Sequence, residues 1–359
     1  MRIVVIAVVG VSLVAAIAGG LIWLQPKFRL APTAYVCQFD DAVAADEREA
    51  VESAARGFVE TMFGSHPGDA FDLMSAYGQT DASREQLEAA GHALQADGVG
   101  ALTVRRTFVI NGAGGSREGV MIACGGAPGA VDFVRKNDAL KQAHVLLTYP
   151  LNAGAKSVAV WLVFERGRWR VNYAYVNFSQ ILDSNARDLF EQAQDQRAQG
   201  HVFNAFFLYR TAANLAHTGA HLQLGDFAQI GAAESSFPAP AEMQGAAPPY
   251  HWTLDGRTFD YEQWGYFGAA NDHKVVLRIT RTLPFNDDSD AEAQNRVFLD
   301  AVMKTYPEWR QTFDGITVRT HKPGADYAWN TLFQKDGGYD EPPRSGDQPA
   351  RSEEAAATH

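Results

Sequence analysis

Ile3 to Leu24 is a run of 22 residues with no charged side chain and no proline. As a helix rising about 1.5 Å per residue, it covers roughly 30 Å, the thickness of a hydrocarbon core. A helix satisfies its backbone N–H and C=O groups internally, so it is the one single-segment solution in lipid. The run therefore predicts a membrane anchor over residues 1–25. Arg2 and the α-amine precede it and Lys27 and Arg29 follow it, so the flanking charges nearly balance. The short N-terminal flank favours an inside N terminus. The expectation is a single-pass protein of a bacterial inner membrane with the bulk of the chain periplasmic. A cleaved signal peptide is the competing reading, because Ala16-Ile17-Ala18 resembles a small-residue cleavage site. Against it, the apolar run continues through Leu21 to Leu24, and Trp23 suits an interfacial anchor. Lipidation is disfavoured: Tyr35-Val36 before Cys37 is bulky where such signals use small residues.

The remainder of the 359-residue chain exceeds the usual size of one core, so two folded domains are expected. The formal net charge of −11 argues against a nucleic-acid partner, since a phosphate backbone needs a basic face. The chain has two cysteines, Cys37 and Cys124. In an oxidising compartment an even pair reads as a disulfide, worth about 4 kcal/mol for so long a loop in the chain-entropy model. Two independent buried thiols are the alternative, because bridging geometry is not legible in sequence.

Residues 26–44, with Pro26 and Pro32, read as an extended tether. A helix is predicted from Asp46 to Phe63, where Val51, Ala54, Ala55, Phe58, Val59, Met62 and Phe63 share one face and acidic residues crowd the first turn. Shorter helices are predicted over Asp69–Tyr77 and from Ser83 to Ala96. From Gly98 the period changes to two. Strands are expected around Leu102–Ile110, Val120–Ala123 and Gln142–Tyr149, the last stopped by Pro150, and then over Val158–Phe164 and Trp169–Tyr175 across the turn Arg166-Gly167. Trp169, Tyr173 and Tyr175 alternate and are placed on one face.

Helices followed by antiparallel strands make an α+β packing. That order, and the ending Val163-Phe164-Glu165-Arg166-Gly167-Arg168-Trp169-Arg170-Val171, resemble the nuclear transport factor 2-like family. The resemblance covers roughly Asp46 to Phe178, within a domain expected over residues 45–180. It implies a curved antiparallel sheet wrapped around N-terminal helices as a cone. Some members are isomerases, cyclases or hydrolases with an Asp/His or Asp/Tyr set inside the cone; here His144, Tyr149, Trp161, Tyr173 and Tyr175 are the candidate lining. An aromatic stripe at strand spacing is more often core, and His144 sits in an apolar run as a core histidine would. One anchor followed by a cone also resembles, in layout, the inner-membrane assembly factors of type IV secretion systems, whose cytoplasmic arm is longer.

Residues 181–231 read as a helical hairpin, with Ser184 or Asp183 as cap. Leu189, Ala193, Gly200, Ala205, Tyr209 and Ala212 resemble the packing positions of one tetratricopeptide unit. A single unit cannot bury its own face, so it needs a neighbour. Residues 232–249, rich in Ala, Pro and Ser, read as a linker. Residues 250–335 form a second α+β domain, with strands near His251–Leu254, Thr258–Tyr261, Lys274–Thr282, Thr317–His321 and Ala328–Phe333 and a helix over Asp290–Tyr306. The tail 336–359 carries six acidic and two basic residues and reads as disordered.

No P-loop, zinc-protease helix, nucleophile elbow or Cys-x-x-Cys occurs. His217 and His221 are four apart, but Gly219 between them predicts a helix end rather than a metal face. The glycine-rich stretch Gly112–Gly119 precedes a strand, not a helix, so it reads as a hairpin loop rather than a phosphate loop. Trp252, Tyr261, Trp264, Tyr266, Phe267, Trp309 and Trp329 make the last domain aromatic-rich, which suits either a core or a glycan-binding surface. The leading expectation is a non-catalytic, membrane-anchored module that binds another envelope protein, with no cofactor or metal. The alternatives are a small-molecule binder or enzyme using the cone, and a cell-wall glycan binder.

Overall fold

The computed structural model describes residues 36–95, 100–112, 120–124, 131–134, 140–151, 154–240, 248–269, 274–325, 327–334 and 338–339. The expected anchor 1–25, most of the tether, most of Gly112–Gly119 and the tail beyond Tyr339 lie outside them. No helix of the described residues is long and apolar enough to cross a membrane.

The chain enters on a strand, β1 (Val36–Phe39), where a tether is expected. Helix α1 (Ala45–Met62) follows, with Asp46 and Glu47 in its first turn and Val51, Ala55, Phe58, Val59 and Met62 buried. The single helix expected over 69–77 is instead a 3-10 stretch, Pro67–Leu73, and a short α2 (Gly78–Asp81). The reason is a pairing further along the chain: Met74 makes a parallel bridge to Val171, and the Ser75 N–H donates to the Val171 carbonyl at 2.7 Å. A backbone committed to a strand cannot complete the helix. Helix α3 (Arg84–Gln95) starts at a reciprocal pair: Ser83 N–H donates to Gln86 Oε1 at 2.9 Å and Gln86 N–H to Ser83 Oγ at 3.2 Å.

Seven strands follow: β2 (Thr103–Asn111), β3 (Val120–Ala123), β4 (Val131–Val134), β5 (Lys141–Leu151), β6 (Gly154–Glu165), β7 (Arg168–Ile181) and β8 (Ser184–Asn185). They build a curled antiparallel sheet ordered β1-β2-β5-β6-β7-β8, with β3 and β4 in a separate small sheet. β5 does not stop at Pro150, which pairs with Ala155 beside the hairpin end; a proline there costs no ladder bond in the middle of the sheet. The β6–β7 turn has positive φ at both Arg166 (52°) and Gly167 (80°), the backbone twist a two-residue hairpin requires. One face of the sheet, with Val109, Val145, Leu147, Val158, Val160 and Leu162, packs on α1 and α3. The other, with Phe108, Leu146 and Ala159, is covered by Cys124 and Leu222.

Helix α4 (Ala186–Ala198) is capped by Asn185, whose side chain accepts from the Arg187 and Asp188 N–H groups while Asp188 returns the bond; the expected caps, Ser184 and Asp183, lie upstream. Helix α5 (Val202–Ala216), β9 (Leu222–Gln223) and α6 (Gly225–Ser236) complete this part. β9 adds to the small sheet beside β4. The expected linker thus begins only after Ser236: Ile230 and Ala233 pack with α5, and Glu234 pairs with Arg210 at 3.0 Å, so alanine-rich composition here is helix.

The last part contains a hairpin, β10 (Tyr250–Leu254) and β11 (Arg257–Tyr261), then β12 (Gln263–Ala269), β13 (Lys274–Thr282), α7 (Asp288–Thr305), α8 (Trp309–Thr312), β14 (Gly315–His321) and β15 (Ala328–Gln334). The sheet order is β12-β13-β14-β15, with β13 and β14 parallel across the α7 crossover. Phe203, Phe206 and Phe207 of α5 belong to the core of this part, so the hairpin finds its neighbour within the chain. Tyr339, in the expected disordered tail, bridges to Phe333 and donates its hydroxyl to Asp300.

Candidate functional site

Cys37 and Cys124 form a disulfide with Cα atoms 5.2 Å apart, spanning 87 residues of sequence. It ties the edge strand β1 to the layer covering the second sheet face.

That face carries four of the five candidate lining residues. His144 and Trp161, cross-strand partners on β5 and β6, are both 2% exposed, and their rings stack at 6.0 Å with planes 5° apart. Trp161 Nε1–H donates to Gln142 Oε1 at 2.9 Å. Tyr173 pairs with Trp161 and Tyr175 with Ala159, so both tyrosines join this face. Tyr149 does not: its ring lies 4.7 Å from Phe63, on the helical side. Nor does Trp169 share a face with Tyr173, because the register slips between Trp161 and Leu162 and Asn172 becomes an extra residue. A bulge inverts the alternation, leaving Val171 and Trp169 packed with the α1 core. Asn172 is used: its Oδ1 accepts from Ser75 Oγ at 2.7 Å.

The segment after α5 closes over the layer. The His221 ring sits 4.8 Å from Trp161 and 4.7 Å from Tyr173, and His217 Nδ1 lies 2.9 Å from the Tyr175 hydroxyl. Gly219, at φ 92°, brings the chain so close to Tyr175 that a Cβ would lie 2.9 Å from its ring. Burial pushes the His144 pKa down to about 3, with the positive field of His221 adding to it. Burial also lowers His217 and raises the Tyr175 hydroxyl to about 12. These groups are neutral near pH 7, and His144 Nε2 is buried without a hydrogen-bond partner among the described residues. Among the described residues no group of three or more His, Cys, Asp or Glu side chains is placed to hold a metal. The arrangement is a packed aromatic and imidazole layer between two sheets.

A second site was not legible as a motif. Between α1 and β2 an open groove of about 360 Å³ is lined by Asp40, Glu52, Arg56, Arg105, Arg106 and Thr107, among others. Asp40 is committed: its Oδ1 accepts the Thr107 N–H at 2.9 Å and its Oδ2 lies 2.7 Å from Arg106 Nε. Glu52 Oε1 accepts the Thr107 hydroxyl at 2.8 Å. Arg56 donates to the Leu102 carbonyl at 2.7 Å, and Arg105 Nε to Thr148 Oγ1 at 3.1 Å. The groove brings together residues from three separated stretches, which no local spacing announces. Arg105-Arg106 is the one signal: two adjacent arginines within a strand.

In the C-terminal part Trp252, Tyr261, Trp309 and Trp329 are at most 5% exposed, and Trp264 packs on Phe206 and Phe207. These side chains build core; those of Tyr266 and Phe267 lie outside the described residues. No family model, curated protein or solved structure matches the chain significantly.

Proposed function

We propose that the chain is a periplasmic protein held at the inner membrane by Ile3–Leu24, and that its folded part is a non-catalytic module binding another envelope protein. The observation that carries the reading is the Cys37–Cys124 disulfide, because such bonds form and persist in oxidising compartments. Its placement suits a tethered protein. The first described strand, β1, is cross-linked to the body, so a pull transmitted to β1 reaches the sheet directly. The curled sheet with α1 and α3 on one face supports a nuclear transport factor 2-like reading of residues 45–180. The burial of His144, which lowers its pKa to about 3, supports packing over acid–base chemistry.

The helical hairpin does not offer the partner surface, since the C-terminal part covers it. A better surface lies at the end of the β6–β7 hairpin. Phe164 is 42% and Leu140 71% exposed, and Tyr77 is 41% exposed beside Ala76, whose N–H donates to Glu165. The exposed Phe164, at the strand end beside this turn, is the contact tested below.

A phosphatase reporter fused after Phe333 is expected to be active outside the cytoplasm, and Cys37 and Cys124 to resist alkylation until reduced. Capture of the full chain from solubilised envelopes is expected to bring down a stoichiometric partner that Phe164→Asp loses. A cytosolic reporter with alkylated thiols would overturn the location, and recovery of the free protein alone would overturn the binding role.

A further inference from the structure

We propose that the groove between α1 and β2 is a binding site for a phosphate monoester group. The argument begins with the backbone. β2 pairs Val104 with Leu147 and Arg106 with Leu146, so Arg105 is an extra residue in the strand. A bulge of this kind re-aims side chains and here sets two successive arginines on the lining of one groove. Arg106 is held in place by Asp40 and lies over the Phe39 and Phe108 rings at 5.7 and 5.4 Å. Arg48, at the same groove, is paired with Asp41 at 2.6 Å.

Arg56 and Arg105 differ from these two. Each is oriented by one neutral acceptor, the Leu102 carbonyl and the Thr148 hydroxyl, and neither has a carboxylate partner among the described residues. The two carboxylates lining the groove are turned to Thr107, and Asp40 also to Arg106. Two arginines with guanidinium donors to spare therefore line one open groove, in a chain whose net charge is −11. A guanidinium presents a planar fork that matches an oxyanion bidentately. A carboxylate has two oxygens and satisfies one fork. A phosphate monoester has three terminal oxygens and close to two negative charges at neutral pH, so it can serve both. The volume of about 360 Å³ accommodates that group with part of whatever carries it.

The carrier is either a soluble phosphoester or a lipid headgroup; the phosphate chemistry is the same. The inference stands apart from the membrane reading, because its phosphate arm runs equally on a chain that proves to be soluble. The full chain in phosphatidylcholine nanodiscs is titrated with inorganic phosphate by calorimetry at matched ionic strength, which removes the screening contribution. Saturable binding is expected, weakened at least tenfold in Arg56→Gln/Arg105→Gln and little changed in Arg257→Gln, an exposed arginine of the β10–β11 hairpin away from the groove, with circular dichroism confirming that the parent and both variants fold. Acetate is expected to bind at least tenfold more weakly than phosphate. In discs containing phosphatidic acid, loss of the phosphate heat identifies a lipid source, and its persistence a soluble one. The proposal is overturned by an absence of saturable binding, by equal binding in the double variant, or by acetate binding as tightly as phosphate.

Discussion

His144 shows how burial alone sets the chemistry of a residue. Its folded pKa, near 3, lies below the ordinary value of 6.5, so between these two values the unfolded chain takes a proton that the native imidazole refuses. Stability contributed by this site is complete above pH 6.5 and is lost as pH falls towards 3, at up to about 1.4 kcal/mol per pH unit. Replacing the ring with an apolar one removes that dependence. His144→Phe is therefore expected to lose less stability than the parent chain between pH 7 and pH 4.5, by about 2 kcal/mol in urea unfolding; parallel profiles would refute the burial argument. The burial of His144 was legible from its apolar neighbours, whereas the Cys37–Cys124 bond was only one of two readings of an even count, because its geometry depends on the fold. The grouping of Trp169 with Tyr173 was not. The extra residue, Asn172, is fixed by Ser75, almost a hundred residues upstream, and strict alternation cannot register such a slip.

At the scale of elements, the decisive piece is α5, whose residues are buried all round rather than on one stripe. Ala205, Leu208, Tyr209 and Ala212 face α4 and α6, while Phe203, Phe206 and Phe207 enter the C-terminal core. Phe207 is fully buried, with its ring 4.4 Å from Trp264 and 5.6 Å from Trp309. Phe207→Ala is expected to cost about 3–5 kcal/mol, the range for truncating a buried aromatic, and to shift the tryptophan fluorescence of the native state. Val202→Ala, at a side chain 49% exposed on the same helix, is expected to stay within about 0.5 kcal/mol. Matching denaturant midpoints for the two variants would show that α5 is not shared. The sequence pattern placed the hairpin and its need for a neighbour. It did not name the neighbour, because periodicity reports that a face is apolar and not what covers it. It also missed α6, whose alanines look like linker until Ile230 and Glu234 are seen against α5, and it missed the strand β1, which is too short to show an alternation.

At the scale of the molecule, α5 joins what composition divides. On one side Asn177, in β7 of the curled sheet, donates through its side chain to the Asn214 carbonyl at 2.5 Å and to the His217 carbonyl at 3.1 Å. On the other, Asn204 donates to Thr312 Oγ1 at 2.7 Å, in α8 of the C-terminal part. A helix with both faces committed cannot release one neighbour without exposing apolar surface, so the boundaries near residues 181 and 250 are boundaries of pattern rather than of cooperativity. Two consequences can be measured. Residues 36–339 are expected to unfold in one transition, with far-ultraviolet dichroism and tryptophan fluorescence coincident. A fragment covering 250–335 lacks both Phe203–Phe207 and Tyr339, leaving Trp252, Trp264, Trp309 and Phe333 open to solvent. It is expected to keep secondary structure yet bind a hydrophobic dye and lose near-ultraviolet dichroism, the behaviour of a loosely packed state. A fragment covering 181–339 restores both covers and is expected to recover the tryptophan dichroism. If 250–335 alone gives sharp near-ultraviolet bands and no dye binding, its core is self-sufficient and α5 is an accessory to it rather than a part of it.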